Sequence, residues 1–108
     1  MESNRILISS LLDIYGALLS ENQRDVLDLY YNGDLSLSEI GEDTGITRQG
    51  VRDAIKKGEA KLSEFEEKLN FHKKSKKLRL GLESLANRAA LLNDKELSDL
   101  AASLAAEF

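Results

Sequence analysis

The stretch that decides the fold is Leu35–Leu62, LSLSEIGEDTGITRQGVRDAIKKGEAKL. Ser36 followed three residues later by Glu39 is the spacing of a capping box, so a short helix is expected to start there. Leu37 and Ile40 lie on one side of it. Gly45 is where the chain needs a left-handed residue to leave that helix. Ile46 is placed to plug the corner. Thr47 then caps a second helix that continues for many turns. Two helices joined by a tight turn make a helix-turn-helix.

Working outward, the second helix carries Val51, Ile55, Gly58, Leu62, Phe65 and Leu69 at alternating spacings of four and three. That is a heptad seam, and its next position is His72. Val51 and Ile55 are expected to pack into the motif. Leu62, Phe65 and Leu69 lie beyond it and need either the N-terminal helix or another chain. Upstream, residues 4–19 (NRILISSLLDIYGALL) show one apolar row through Leu7, Leu11, Ile14 and Leu18 and another through Ile8, Leu12, Tyr15 and Leu19. Two adjacent rows predict a helix buried over a wide face. Gly16 inside it points to a close helix crossing. Ser20 and Gln23 repeat the capping-box spacing. They open a helix whose buried side is Val26, Leu27, Tyr30 and Tyr31, and Asn32-Gly33-Asp34 ends it. The two tyrosines are read as core and rim, with base stacking as the alternative.

Downstream, Phe71-His72-Lys73-Lys74-Ser75-Lys76-Lys77 is a basic segment that fits a loop, a frayed end or a continuing helix. Leu78, Leu82, Leu85, Ala89 and Leu92 form the next apolar row. Asn93 or Asp94 caps a last helix with the row Leu97, Leu100 or Ala101, Leu104 and Phe108. These segments are expected as a hairpin or an extended arm. The domain reading is a helix-turn-helix domain over 1–71 and a helical C-terminal extension over 72–108. The fold class is all-α.

Composition removes several functions. The chain has 108 residues, no cysteine, no proline and one histidine. Disulfides and thiolate metal sites are therefore impossible. No nucleophile–base pair, glycine-rich phosphate loop or metal-ligand cluster is visible, so no catalytic residue, metal, cofactor or small-molecule substrate is expected. No stretch reaches the ~20 apolar residues of a membrane span. No signal peptide is read at the N-terminus, and a cytoplasmic protein is expected. Net charge is −4, but residues 21–46 carry −6 and residues 47–80 carry +6. The basic charge begins with the second motif helix, the distribution expected of a phosphate-binding surface.

The motif resembles region 4 of bacterial sigma factors. The matching positions are Leu37, Glu39, Ile40, Gly41, Gly45, Ile46, Thr47, Arg48, Val51, Arg52, Ile55, Lys61 and Leu62. With its flanks, LLDIYGALLSENQRDVLDLYYNGDLSLSEI and TRQGVRDAIKKGEAKLSEFEEKL, the chain over about residues 5–71 is similar to the YlxM family of small bacterial proteins. The resemblance implies a regulatory accessory factor of the signal recognition particle (SRP), acting with the SRP RNA, the SRP GTPase protein or both.

The candidate nucleic-acid contacts are Thr47, Arg48, Gln49, Arg52, Lys56, Lys57 and Lys61. Arginine can bond guanine and glutamine can bond adenine. Lysines suit phosphates, and a helix N-terminus supplies further donors. Lys73, Lys74, Lys76 and Lys77 form a secondary basic patch. Acidic Glu39, Glu42 and Asp43 on the first motif helix oppose close approach to duplex DNA. A homodimer is expected from surplus apolar surface on the first helix and along the Leu62–Leu69 seam. The alternatives are a sequence-specific transcriptional regulator and a purely protein–protein module.

Overall fold

The computed structural model describes residues 2–108, with side chains from residue 4 onward; residue 1 of the expected 1–71 domain lies outside the described residues. The elements are α1 (Glu2–Tyr15), α2 (Glu21–Tyr31), α3 (Leu37–Thr44), α4 (Arg48–Leu69), α5 (Phe71–Leu91) and α6 (Lys95–Ala105), with a short 3₁₀ turn at Gly16–Leu18. The described residues form no strand, and the fold is all-α. The chain divides into two compact units, residues 1–69 and 70–108.

In the first unit, α1–α4 close around one core. Leu27, Ile40, Leu62, Val26 and Val51 are fully buried, with Ile8, Leu11, Leu12, Tyr15, Leu19, Ala54 and Ile55 beside them. Burial of side chains this size stabilises by about 1.5–3 kcal/mol each. Both capping boxes form. Ser20 Oγ accepts from Gln23 N–H, and Ser36 Oγ accepts from Glu39 N–H, while Gln23 and Glu39 reach back to the cap amides. Gly45 takes φ +77° at the end of α3. Thr47 Oγ1 accepts from Gly50 N–H at 3.0 Å and starts α4. Ile46 packs against the core from the corner.

Two expectations for this unit change. The first helix stops at Tyr15 instead of running to Leu19, because the chain tightens at Gly16 and turns to enter α2 through an extended Ser20. Consequently the row Ile8, Leu12, Tyr15, Leu19 is buried, whereas Leu7 and Leu18 are exposed. The seam on α4 also stops short of His72. Asn70 adopts φ +56°, a conformation asparagine tolerates better than most residues. Helix α4 therefore ends at Leu69, which is exposed. Leu62 and Phe65 find their cover within the chain: the Tyr15 and Phe65 rings lie 5.9 Å apart, and Tyr15 Oη donates to Glu66 at 2.7 Å.

A further crossing is set by Gly58. A Cβ there would lie 2.6 Å from Leu27 Cδ1, so α4 passes α2 at a separation that only a bare backbone permits.

The second unit is a helical hairpin. The basic segment is the opening of α5, not a loop. Asp94, not Asn93, caps α6, its carboxylate accepting from Leu97 N–H at 3.0 Å. Asn93 instead supplies the left-handed turn at φ +60°. The helices meet through Ala86, Ala89, Ala101 and Ala105, and Ser98 Oγ donates to the Ala86 carbonyl at 3.1 Å. Of the two expected rows, Ala89 and Ala101 are buried at this contact, whereas Leu78, Leu85, Leu92, Leu97, Leu100, Leu104 and Phe108 are exposed. Small side chains let the two backbones approach closely, and the bulky ones lie to the side.

Candidate nucleic-acid interface

The candidate surface is the outer side of α4. Val51, Ala54, Ile55, Gly58 and Leu62 anchor its inner side. Thr47, Arg48, Gln49, Arg52, Lys56, Lys57 and Lys61 are all exposed. At about 100° per residue, Arg48, Arg52 and Lys56 follow one edge of the solvent face. Lys57 and Lys61 follow the opposite edge. Gln49 and Asp53 lie between them, and Gln49 Nε2 donates to Asp53 Oδ1 at 3.1 Å. Lys57 and Lys61 thus stand across the face from Arg48, Arg52 and Lys56.

This arrangement has a chemical logic. Two cationic rows about a helix width apart suit phosphates on either side of a groove. The polar pair between them suits base edges. Gln49 must give up its bond to Asp53 before its amide can read a base. Asp53 accepts but never donates when ionised, so it disfavours acceptor-rich edges such as those of guanine. The ion pairs among the described residues, Arg5–Asp34, Glu64–Lys68 and Arg79–Glu83, do not involve Arg48, Arg52, Lys56, Lys57 or Lys61. Arg48, Arg52, Lys56 and Lys57 are therefore in none of these ion pairs, while Lys61 lies near enough to Glu64 to help lower its carboxyl pKa, after the larger effect of Lys68.

On α3, Glu39 is held in its capping box. The Ser36 amide and hydroxyl keep its carboxyl below the usual range. Glu42 and Asp43 are exposed. The secondary patch, Lys73, Lys74, Lys76 and Lys77, is exposed on the first turns of α5 and belongs to the other unit. Neighbouring Arg79 is half-buried, with Nε 3.9 Å from Glu83.

The tyrosines are committed to the fold. Arg5 lies over both rings, at 5.2 Å from the Tyr30 centroid and 5.0 Å from that of Tyr31. It also donates to the Tyr30 carbonyl at 2.7 Å and to Asp34 at 3.3 Å. Tyr31 Oη bonds Glu59, and burial with that carboxylate pushes the phenol pKa up. Arg5 occupies one side of both rings. Sequence reasoning missed this cluster, whose one signal was a basic residue on the same helix side as the apolar rows.

Among the described residues no group of histidine, cysteine or carboxylate side chains could hold a metal ion. No helix among the described residues is long and apolar enough to cross a membrane.

Fold and surface together define a small helix-turn-helix protein whose second motif helix is basic on its outer side. Residues 2–101 match the family described as "Putative helix-turn-helix protein, YlxM / p13 like", and the chain belongs to that family. It is similar to a UPF0122 protein of Clostridium kluyveri, 55% identical over 74 residues, covering 68% of this chain and 67% of that one. A UPF0122 protein of Clostridium novyi is 42% identical over 96 residues, covering 89% and 81%. One of Thermoanaerobacter sp. strain X514 is 36% identical over 96 residues, covering 89% and 82%. No solved structure matches the chain.

Proposed function

We propose that this protein is a nucleic-acid-binding regulator that applies the outer face of α4 to its target and serves the SRP pathway as an accessory factor. The observation that carries the binding reading is the pair of cationic rows, Arg48–Arg52–Lys56 and Lys57–Lys61, flanking Gln49 and Asp53 on a rigid helix. The family resemblance supplies the pathway, with the SRP RNA and the SRP GTPase protein as partners. A-form RNA has a major groove too deep and narrow for a helix. An RNA target is therefore met through phosphates or an irregular loop, for which the two cationic edges suffice. Lys73, Lys74, Lys76 and Lys77 add a second phosphate-binding patch. The protein acts as a homodimer in this reading, although the surfaces first expected to mediate it are largely consumed within the chain.

A second reading, a sequence-specific transcriptional regulator, is favoured by the hydrogen-bonding pair at the centre of the face. It predicts a strong preference for particular duplexes.

The test is titration with SRP RNA, a set of DNA duplexes and random DNA at two salt concentrations. Substituting Arg48, Arg52 and Lys56 together by alanine is expected to weaken binding at least tenfold. The slope of log affinity against log salt should become shallower by about 0.7–0.9 for each phosphate that is no longer neutralised. Equal binding by the substituted protein rejects α4 as the contact surface. Preference for one duplex over both RNA and random DNA selects the transcriptional reading.

A further inference from the structure

The C-terminal hairpin buries alanines and exposes leucines. Leu78 and Leu85 on α5, Leu97, Leu100 and Leu104 on α6, and Phe108 just beyond it each expose between 42% and 57% of their surface. On both helices the leucines sit roughly 60–90° around the helix from the alanines at the hairpin contact. Because the helices run antiparallel, the two offsets fall on the same side. The hairpin therefore carries one continuous apolar face, with about the relation of adjacent faces in a four-helix bundle. Contiguous apolar patches beyond ~300–600 Å² mark interaction surfaces on soluble proteins.

Three observations point to what covers that face. The first is Gly81. It lies at the midpoint of α5, in register with Leu78 and Leu85, and a Cβ there would meet nothing within 4 Å. Glycine inside a helix is unfavourable by about 1 kcal/mol, and nothing in this chain approaches closely enough to require it. The second is length. Helix α5 has 21 residues and α6 has 11. Phe108, Ala105 and Ala106 line a groove with Arg79 and Glu83, so α6 returns only along the C-terminal half of α5. The first two turns of α5 have no α6 beside them. The third is charge. The uncovered end of α5 holds Lys73, Lys74, Lys76 and Lys77, while the hairpin's far end is net acidic, with Asp94, Glu96 and Asp99 against one lysine, Lys95.

We propose that the face is closed by the same face of a second copy, related by a two-fold axis at Gly81. An isologous pairing requires a self-complementary patch. An antiparallel crossing of two α5 helices at Gly81 satisfies every asymmetry above. The bare backbone permits close approach at the axis. The α6 of each copy fills the length of α5 that the other's own α6 leaves open. The acidic tip of each hairpin meets the lysines of the other. This deepens the homodimer of the reading above and is independent of what α4 binds.

The experiment uses the full chain, which has no cysteine. Sedimentation velocity from sub-micromolar to tens of micromolar is expected to show a monomer–dimer equilibrium. Leu85→Glu with Leu100→Glu should raise the dissociation constant at least about hundredfold, with helical circular dichroism retained. Leu78→Cys, on the face one turn from the axis, should cross-link to a covalent dimer with a short bis-maleimide, whereas Leu80→Cys, on the side of α5 turned away from that face, should not. The cross-link keeps the test open even if the double glutamate variant unfolds. A monomer at every concentration overturns the proposal together with the homodimer. A dimer that ignores the glutamates and gives no Leu78→Cys cross-link overturns this surface while leaving a homodimer through another one.

Discussion

The two units solve the same problem in opposite ways. The first unit puts its largest side chains inside: Leu27, Ile40 and Leu62 are fully buried, and the outer side of α4 is left to arginine and lysine. The second unit puts alanine inside and leucine outside. Burial of apolar area drives folding at about 25 cal/mol per Å², so the first unit carries its stability internally. The hairpin buries little by comparison. The contrast separates a unit closed around its own core from a hairpin whose apolar face is left exposed.

The sharpest way to break that contrast is a matched pair of truncations. Leu27→Ala empties a fully buried site against Gly58 and is expected to cost about 2–5 kcal/mol. Leu100→Ala removes a mostly exposed side chain and should change monomer stability by no more than about 0.5 kcal/mol. Chemical denaturation at submicromolar concentration measures both. Comparable losses would show that the hairpin leucines are packed within the monomer. At high concentration Leu100→Ala should gain a cost that Leu27→Ala does not, because only the former lies on the face proposed to pair with a second copy.

The difference between the units also governs what could be read in advance. The helix-turn-helix was legible because its signals are local chemistry: Ser36 with Glu39, Gly45, and Thr47 each act within four residues. The candidate contacts on α4 were legible once the helix register was fixed by Val51 and Ile55. Periodicity failed where the choice is tertiary. The heptad pattern runs unbroken through Leu69 to His72, and nothing in it says that Asn70 turns left-handed. In the hairpin, Leu82, Leu85, Ala86 and Ala89 belong to one apolar arc. Periodicity locates the arc but not the portion that faces α6, which close backbone approach awards to the alanines. The Arg5–Tyr30–Tyr31 stack joins positions 25 and 26 residues apart, and the Gln49–Asp53 bond depends on rotamers.

A smaller effect, of opposite sign in the two units, comes from glycine. Gly45 sits at φ +77°, where a Cβ is strained whatever the space around it. Gly45→Ala is expected to cost about 1 kcal/mol by forcing a left-handed alanine at the motif's turn. Gly81→Ala places a methyl in open space inside a helix. In the monomer it should stabilise by about 0.4–1 kcal/mol through the unfolded chain's lost freedom, yet it should weaken self-association. Thermal melts at low concentration, paired with sedimentation at high concentration, read the two signs separately. A Gly81→Ala chain that is both more stable and equally dimeric would remove the glycine from the interface.

The smallest effect belongs to the cap of α3, and its pH dependence has a defined direction. The Ser36 amide and hydroxyl lower the Glu39 carboxyl from its ordinary value of 4.5 in the folded chain. A depressed folded pKa means that the unfolded chain takes up the proton first. The stabilisation is therefore complete above the unfolded value and is lost as pH falls below 4.5 and through the folded value. Glutamine at this position keeps an acceptor for the Ser36 amide but has no proton to gain. Glu39→Gln should therefore lie close to the parent at pH 7, with a shallower loss of stability on acidification. Denaturant midpoints across an acid series measure the difference between the two slopes. Parallel slopes would mean that Glu39 does not hold the Ser36 amide in solution, and that the serine hydroxyl alone caps the helix that positions the turn.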